Sequence, residues 1–442
     1  MPQQYSQATS ITNFVGKADS APIVSAMETL LSKFGMRQAW LGKGHPYSGR
    51  VTKLLNEGKA KSPTHRVRVG AMAQYIAASA VLHCFDGWNF LGRAFEGVAR
   101  GDRRTSIHFA YYAELRAGMS LLASRGIGVF DQRHISIESV NHARWWNTGT
   151  HPLVPAALQE WADKSTGAGD IFSSIFVEGL SIEAWLQRVG AGPVIDSRLT
   201  RDWLKNWSID LKRFAGDRNE RNEASYRPDS VRYPSPPEFR PLPYAIEPIL
   251  AVWKALEPSS MGGADILDRH LLRRALRYAY TRQTGLEATG PQFSRFIDQA
   301  TPASQSLFDF VKGAVAPDDL QLFSVAEDRR ADLQPLPILS RAVLLLRMAS
   351  ASTFGLLSAA GAGFADFRFW WENRLSTFGL WDGPPPGDLR DLWADVQDAI
   401  ASVETWRAGP GAGDPPPCDA VPTLGAQVAF TQFQRPALWL LR

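Results

Sequence analysis

Arg218, Arg221, Asn222, Ser225 and Tyr226 sit together in residues 216–228, the densest run of polar functional groups in the chain. Guanidinium, amide, hydroxyl and phenol at these spacings can hold and polarise a phosphate, because the planar guanidinium presents a fixed fork of donors to paired oxygens. Upstream, Leu204, Trp207, Leu211 and Phe214 recur at spacings of three and four, one face of an α-helix. Carried on at the same period, that face reaches Arg218, then Arg221 and Asn222, then Ser225. A stripe that begins apolar and ends in guanidinium, amide and hydroxyl aims its polar end at something other than bulk water. A break at Gly216 would cancel the alignment and leave an ordinary charged loop.

The run Arg221-Asn222-Glu223-Ala224-Ser225-Tyr226 resembles the Arg-Asn-x-x-x-His signature of the HEPN superfamily, helical domains of toxins and antiviral defence proteins. Residues 108–116 resemble the first long helix of such domains, where small residues let two helices approach closely. The resemblance covers residues 66–228. It implies a helical fold, metal-independent cleavage of RNA, no cofactor, and a homodimer in which two copies of the motif line one cleft. It further implies a cytoplasmic bacterial protein of antiphage defence or a toxin-type system, with a protein partner from that system. On this resemblance Arg221 binds the scissile phosphate and Asn222 orients it or its own helix, while Arg218 and Arg227 add charge. The chain departs from the signature at Tyr226, which stands where the family has its histidine. A phenol with an ordinary pKa near ~10 shuttles protons poorly at neutral pH.

These groups have to be positioned by helices. Residues 106–124 read most clearly as one, with Ile107, Tyr111, Leu115, Gly118 and Leu122 on a stripe and Gly126 and Gly128 as the stop. Residues 66–95 read as one or two helices. Arg93, Arg100, Arg103 and Arg104 then form a basic cluster, either a solvated helix end or a phosphate-contacting patch. His108 and Glu114 are six apart, on different faces, and make no dyad by themselves. His134, Glu138 and His142 are spaced by four and would share a helix face suited to a metal. The β-branched run at 134–137 instead favours a hairpin or extended loop, so no metal is expected. Thr150 reads as an N-cap, with Pro152 in the first turn of a helix running to residue 163. The helix that carries the polar run is predicted to start at Leu199 and to stop at or before Arg227, because Pro228 disfavours helical geometry at the residue before it.

Residues 229–248 are rich in proline and mark the main boundary. Beyond it the pattern is again helical, at 246–256, 264–282, 292–299, 304–311, 337–359, 366–375 and 388–405. In the second of these, Arg269, Arg273 and Arg277 form a basic ridge, read either as a surface helix paired with acids or as a nucleic-acid contact. The aromatic cluster at 367–381 lacks interleaved basic residues and reads as core or interface rather than as a stacking platform. The apolar end Trp439-Leu440-Leu441 would be exposed unless it packs on this chain or on a partner.

With 442 residues, 45% of them hydrophobic, and 15 tryptophans, the chain can bury a large core, and its net charge of +4 does not by itself demand a nucleic-acid partner. Two distant cysteines, Cys84 and Cys418, give no disulfide framework or zinc spacing. Residues 1–20 lack the basic and apolar regions of a signal peptide, and the apolar run at 338–360 is interrupted by Arg341 and Arg347, which favours a buried helix over a membrane span. Phosphate-loop, dinucleotide, nucleophile-elbow and HExxH motifs are absent. The sequence therefore predicts an all-α protein of two mainly helical domains: an extension over 1–60, a HEPN-like domain over 61–230, a proline-rich linker over 231–245, a second helical domain over 246–407, a Gly/Pro linker over 408–422 and a docking tail over 423–442. Its candidate site residues are Arg221, Asn222 and Tyr226 for catalysis, and Arg218, Arg227, Arg273 and Arg277 for nucleic acid. Two other readings fit the same residues: a non-catalytic helical adaptor for nucleic acid or a partner protein, and an assembly subunit whose arginines are structural.

Overall fold

Apolar residues at helical spacing fill most of the chain, and the computed structural model is correspondingly dominated by helices. It describes residues 4–49, 51–55, 67–164, 168–192, 194, 200–226, 246–259, 263–300, 304–313, 320–329, 335–409 and 425–441. In chain order come β1 (Gln4–Gln7), α1 (Ile11–Gly16), α2 (Ala21–Arg37), α3 (Val69–Ala99) and α4 (Arg103–Ser124). Strands β2 (Ile127–Gly128), β3 (Arg133–Ser139) and β4 (His142–Asn147) lead to α5 (Thr150–Lys164) and α6 (Ala168–Phe172). A two-stranded ribbon of β5 (Phe176–Val177) and β6 (Leu180–Ser181) precedes α7 (Ile182–Arg188), α8 (Thr200–Asn206) and α9 (Leu211–Tyr226). The second half contributes α10 (Ile246–Ala255), α11 (Asp265–Thr284), α12 (Gly290–Asp298), α13 (Gln305–Lys312), α14 (Gln321–Glu327) and α15 (Leu336–Ala359). Last come α16 (Arg368–Ser376), α17 (Asp391–Ala408), α18 (Ala426–Thr431) and α19 (Gln434–Trp439).

The fold is not purely helical. β3 and β4 form the hairpin that the β-branched run at 134–137 allowed, β2 extends it antiparallel, and β1 pairs with β4 in parallel, giving the order β1-β4-β3-β2. Ile135, Ile137 and Ala143 bury its inner face. His134 is spent inside this sheet. Its Nδ1 accepts the Phe130 N–H at 3.0 Å and its Nε2 donates to the Thr148 carbonyl at 3.0 Å. Among the described residues no group of acids, histidines and cysteines is arranged to hold a metal.

α15 is the centre of the molecule. It is long and apolar enough to cross a membrane, yet 78% of its most apolar window is buried inside the fold, against α2, α3 and α4. Its two interruptions are both neutralised within the core. Arg347 donates to Asp268 of α11 through Nε and Nη2, at 2.7 and 3.0 Å, and Arg341 donates to Asp217 of α9. Gly87 of α3 lets the three helices close up: a Cβ there would stand 2.6 Å from Leu346 Cδ2 and 3.3 Å from Arg116 Cβ.

The predicted division near residues 230–246 does not divide the core, which runs as one apolar cluster from Ala8 to Leu441. Trp207 donates its indole N–H to Leu271 at 3.1 Å across that division, and Trp253 donates to Phe430 at 3.1 Å. The tail is helical rather than extended and docks on this chain. Phe433 lies against Trp88, Phe95 and Trp253, and Trp439, Leu440 and Leu441 are buried. The proline-rich linker at 231–245 and most of the Gly/Pro stretch at 408–422 lie outside the described residues, as does Cys418.

The Arg347–Asp268 pair gives the first prediction. Removing one partner leaves the other charge buried and uncompensated, which costs about 3–5 kcal/mol. Asp268→Ala should therefore lower unfolding free energy by that amount in urea titrations. The double change Asp268→Leu with Arg347→Met should recover most of the loss, because it leaves no buried charge behind.

Candidate functional site

The helix carrying the polar run is shorter than the sequence suggests. It breaks after Asn206, where Ser208 adopts φ 61°, and restarts at Leu211 with the Asp210 carboxylate accepting the Lys212 N–H at 2.9 Å. The break is held from outside, since Arg274 donates to the Asn206 carbonyl at 2.8 Å and to Ser208 Oγ at 3.1 Å. α9 then runs unbroken through Gly216 to Tyr226, so the alignment of Leu211, Phe214, Arg221 and Ser225 on one face holds.

Asp217, one turn before Arg221, was not singled out by the sequence, and it organises the floor of the site. It meets Glu114 of α4 and Arg341 of α15 in the core, with Arg341 at 2.5 Å from Asp217 and 3.5 Å from Glu114. Burial, followed by the Asp217 charge, raises the Glu114 pKa well above the ordinary 4.5, while burial raises Asp217 and Arg341 opposes it. One guanidinium cannot neutralise two buried carboxylates. Ionisation is therefore disfavoured most at Glu114, whose neighbouring carboxylate pushes its pKa the same way as burial does.

Arg221 is left above that floor, only 5% exposed and, among the described residues, with no carboxylate in ion-pair range. Its neighbours are neutral. Its guanidinium carbon lies 5.3 Å from the centre of the Tyr111 ring and 5.7 Å from that of Tyr112, and Nη2 donates to His151 Nε2 at 3.2 Å. Because His151 Nε2 accepts, the proton sits on Nδ1, which donates to the Tyr111 hydroxyl at 3.0 Å. Arg221 Nε is buried without any partner. A second imidazole, His108, lies 4.9 Å from the Tyr112 ring and is hydrogen-bonded through Nδ1 to Ser225 Oγ at 2.8 Å. Burial first, then Arg221, lowers the pKa of both histidines below 6.5, and Arg218 lowers His151 further.

Close packing of α5 on α4 brings His151 to Arg221. Gly118 permits it, since a Cβ there would lie 2.7 Å from Val154 and 2.9 Å from Leu158. The Thr150-His151-Pro152 segment thus starts α5 as expected, but its histidine, read only as part of a cap, proves to be the group beside Arg221.

The expected site residues separate in space. Arg221 is at the centre, Arg218 and Asn222 are half-buried beside it on α9, and Tyr226 ends the helix 77% exposed. Arg227 lies outside the described residues. Arg273 and Arg277 do not form an outward ridge. Both donate to the Gly313 carbonyl at the end of α13, and they lie over the Phe310 and Phe293 rings, so they tie helices together. For His108 and Tyr112 the signal was present on α4, where His108, Tyr112 and Arg116 repeat every four residues and share one face.

No protein-family model matches the chain, and neither a curated protein nor a solved structure matches it.

The raised Glu114 pKa has a measurable sign. A carboxyl whose folded pKa is raised contributes stability that is complete below its ordinary value and is lost as pH rises through the folded value. Above pH 4.5 the wild type should thus lose up to about 1.4 kcal/mol per pH unit through Glu114. Glu114→Gln should flatten that slope in urea titrations run across the pH range. A slope equal to wild type would exclude the raised pKa.

Proposed function

We propose that this chain binds single-stranded RNA at Arg221 and cleaves it, with His151 and His108 moving the protons. The observation that carries this reading is a buried guanidinium with no carboxylate, flanked by two imidazoles held near neutrality. A phosphodiester is the ligand that such a group lacks. Its two unesterified oxygens match the guanidinium fork, and its negative charge would offset the desolvation of Arg221.

In the proposed reaction His151 Nε2 accepts the 2′-hydroxyl proton as that oxygen attacks phosphorus. The bond to the 5′-oxygen breaks, a 2′,3′-cyclic phosphate forms, and the leaving oxygen takes a proton from His108. The assignment of roles follows the charges: His151 faces Arg221 and Arg218, while His108 faces Arg221 alone, so His108 is the easier to protonate once phosphate is bound. Tyr111 fixes the tautomer of His151, as a third group orients a general base elsewhere. The resemblance of residues 221–226 to the HEPN signature supports the same substrate class, and with it a cytoplasmic defence-type role and a homodimer in which the HEPN-like residues 61–230 face each other. On this reading imidazoles from α4 and α5 replace the family histidine, and Tyr226 is not needed.

A second reading, binding without cleavage, is favoured by one observation: at rest both donor and acceptor of His151 are already engaged. Cleavage of labelled single-stranded RNA and tRNA in EDTA separates the two. His151→Ala and His108→Ala should each lose about 10²–10⁴-fold in rate, and Arg221→Ala at least about 10²-fold. Tyr226→Phe should stay within about twofold. The rate should fall in acid, as pH drops through the lowered pKa of His151 and the imidazole becomes protonated. RNA bound by the wild type without cleavage at any pH would give the second reading.

A further inference from the structure

The face of α4 that carries His108 and Tyr112 does not end at the site. Tyr112 is 5.5 Å, centre to centre, from Phe90 of α3, which stacks on Phe109 at 6.0 Å with an interplanar angle of 26°. Arg93 lies over both Phe90 and Phe109, and Arg116 lies over Phe90. All three rings are half-buried, each leaving part of its surface to solvent. The row leads from Arg221 into a cleft of about 390 Å³ between α3, α16 and the α18–α19 turn. Arg93, Arg116 and Arg374 line this cleft with Asp86, Asn89 and Gln434.

The charges in the cleft are unevenly satisfied. Glu96 is paired with Arg100 at 2.6 Å, and Asp86 faces Arg116 at 3.8 Å. Arg116 also donates to His83 Nδ1 at 2.7 Å, whose pKa burial pushes down to about 3, so that imidazole is a neutral support. Among the described residues Arg93 and Arg374 have no carboxylate within 4.0 Å; both lie over aromatic rings, and both are near enough to Asp86 to oppose the rise in its pKa that burial causes. Two amide oxygens on the cleft, Asn89 Oδ1 and Gln434 Oε1, are buried without a donor.

We infer that this row is the path of the RNA strand flanking the bond held at Arg221. Bases stack on Phe90, Phe109 and Tyr112, phosphates meet Arg93 and Arg374, and a base amino group reaches Asn89 or Gln434 at the far end. Alternating cations and partly exposed rings form the platform that single strands use without sequence preference, at about 4 nucleotides for the smallest such sites. The inference rests on the RNA reading of Arg221 but not on cleavage there.

The test is fluorescence anisotropy of 5′-labelled oligouridylates of increasing length against the full chain, across a salt series. The proteins compared are wild type, Arg221→Ala and the double variant Arg93→Ala/Arg374→Ala, whose side chains are exposed and whose removal leaves the core intact. The double variant should bind about tenfold or more weakly, and its log–log salt slope should be shallower by about 1.4, the share of two phosphate contacts on a single strand. Where cleavage is measurable, its defect should appear in KM rather than kcat. A double variant with wild-type affinity and slope would overturn the path, even if cleavage depends on Arg221. Loss of binding in the double variant with no cleavage by any protein would uphold the path and remove the nuclease reading. No RNA bound by the wild type would overturn both.

Discussion

A guanidinium shut away from water with no carboxylate to face it is the constraint on which this structure turns. Removing one ion from water costs several kcal/mol even after relaxation, whereas a desolvated cation–π contact returns about 2 kcal/mol. Tyr111, Tyr112 and a neutral imidazole therefore leave Arg221 short of full compensation. The deficit is not for want of acids nearby. Glu114 and Asp217 lie in the adjacent layer of the core, but Arg341 holds them both. The fold spends one arginine on two carboxylates so that a second arginine, one turn along α9, stays unpaired.

That arrangement requires three helices from distant parts of the sequence to meet. α15 supplies Arg341, α9 supplies Asp217 and Arg221, and α4 supplies Glu114 below and Tyr111 above. Small residues make the meeting possible: Gly87 lets α3 and α4 close on α15, and Gly118 lets α5 close on α4 until His151 reaches Arg221. The four-stranded sheet sits at the start of α5 and the docked tail packs on α3, while α4 contributes to both the site and the aromatic row.

Helices were legible from the sequence because their signal is local. Residues 106–124 and 337–359 match α4 and α15 to within a few residues, and the apolar run with Arg341 and Arg347 proved to be a buried helix. Two departures have physical causes. The expected helix from Leu199 is two helices, because Asp210 caps a new start and Arg274 stabilises the turn from a segment more than sixty residues away. Arg269 pairs with Asp265 as a surface helix would, but Arg273 and Arg277 looked solvent-facing because their partner is a carbonyl at the end of α13, a group every residue possesses and no sequence pattern marks. In the site, Arg221 was readable from its motif and Arg218 from its period. His151 was not, since its role depends on how closely α5 approaches α4, a property of packing rather than of its own neighbours.

The central claim is that Arg221 is kept for an anion at a cost to the free protein, and one comparison of stability tests it most directly. Urea unfolding of Arg221→Met against wild type, with and without a short oligouridylate, reads both sides of that claim. The account predicts that the ligand-free variant is at least as stable as wild type, and that RNA raises the unfolding midpoint of wild type only. A ligand-free variant destabilised by several kcal/mol would mean that Arg221 is a structural strut, and would contradict the account.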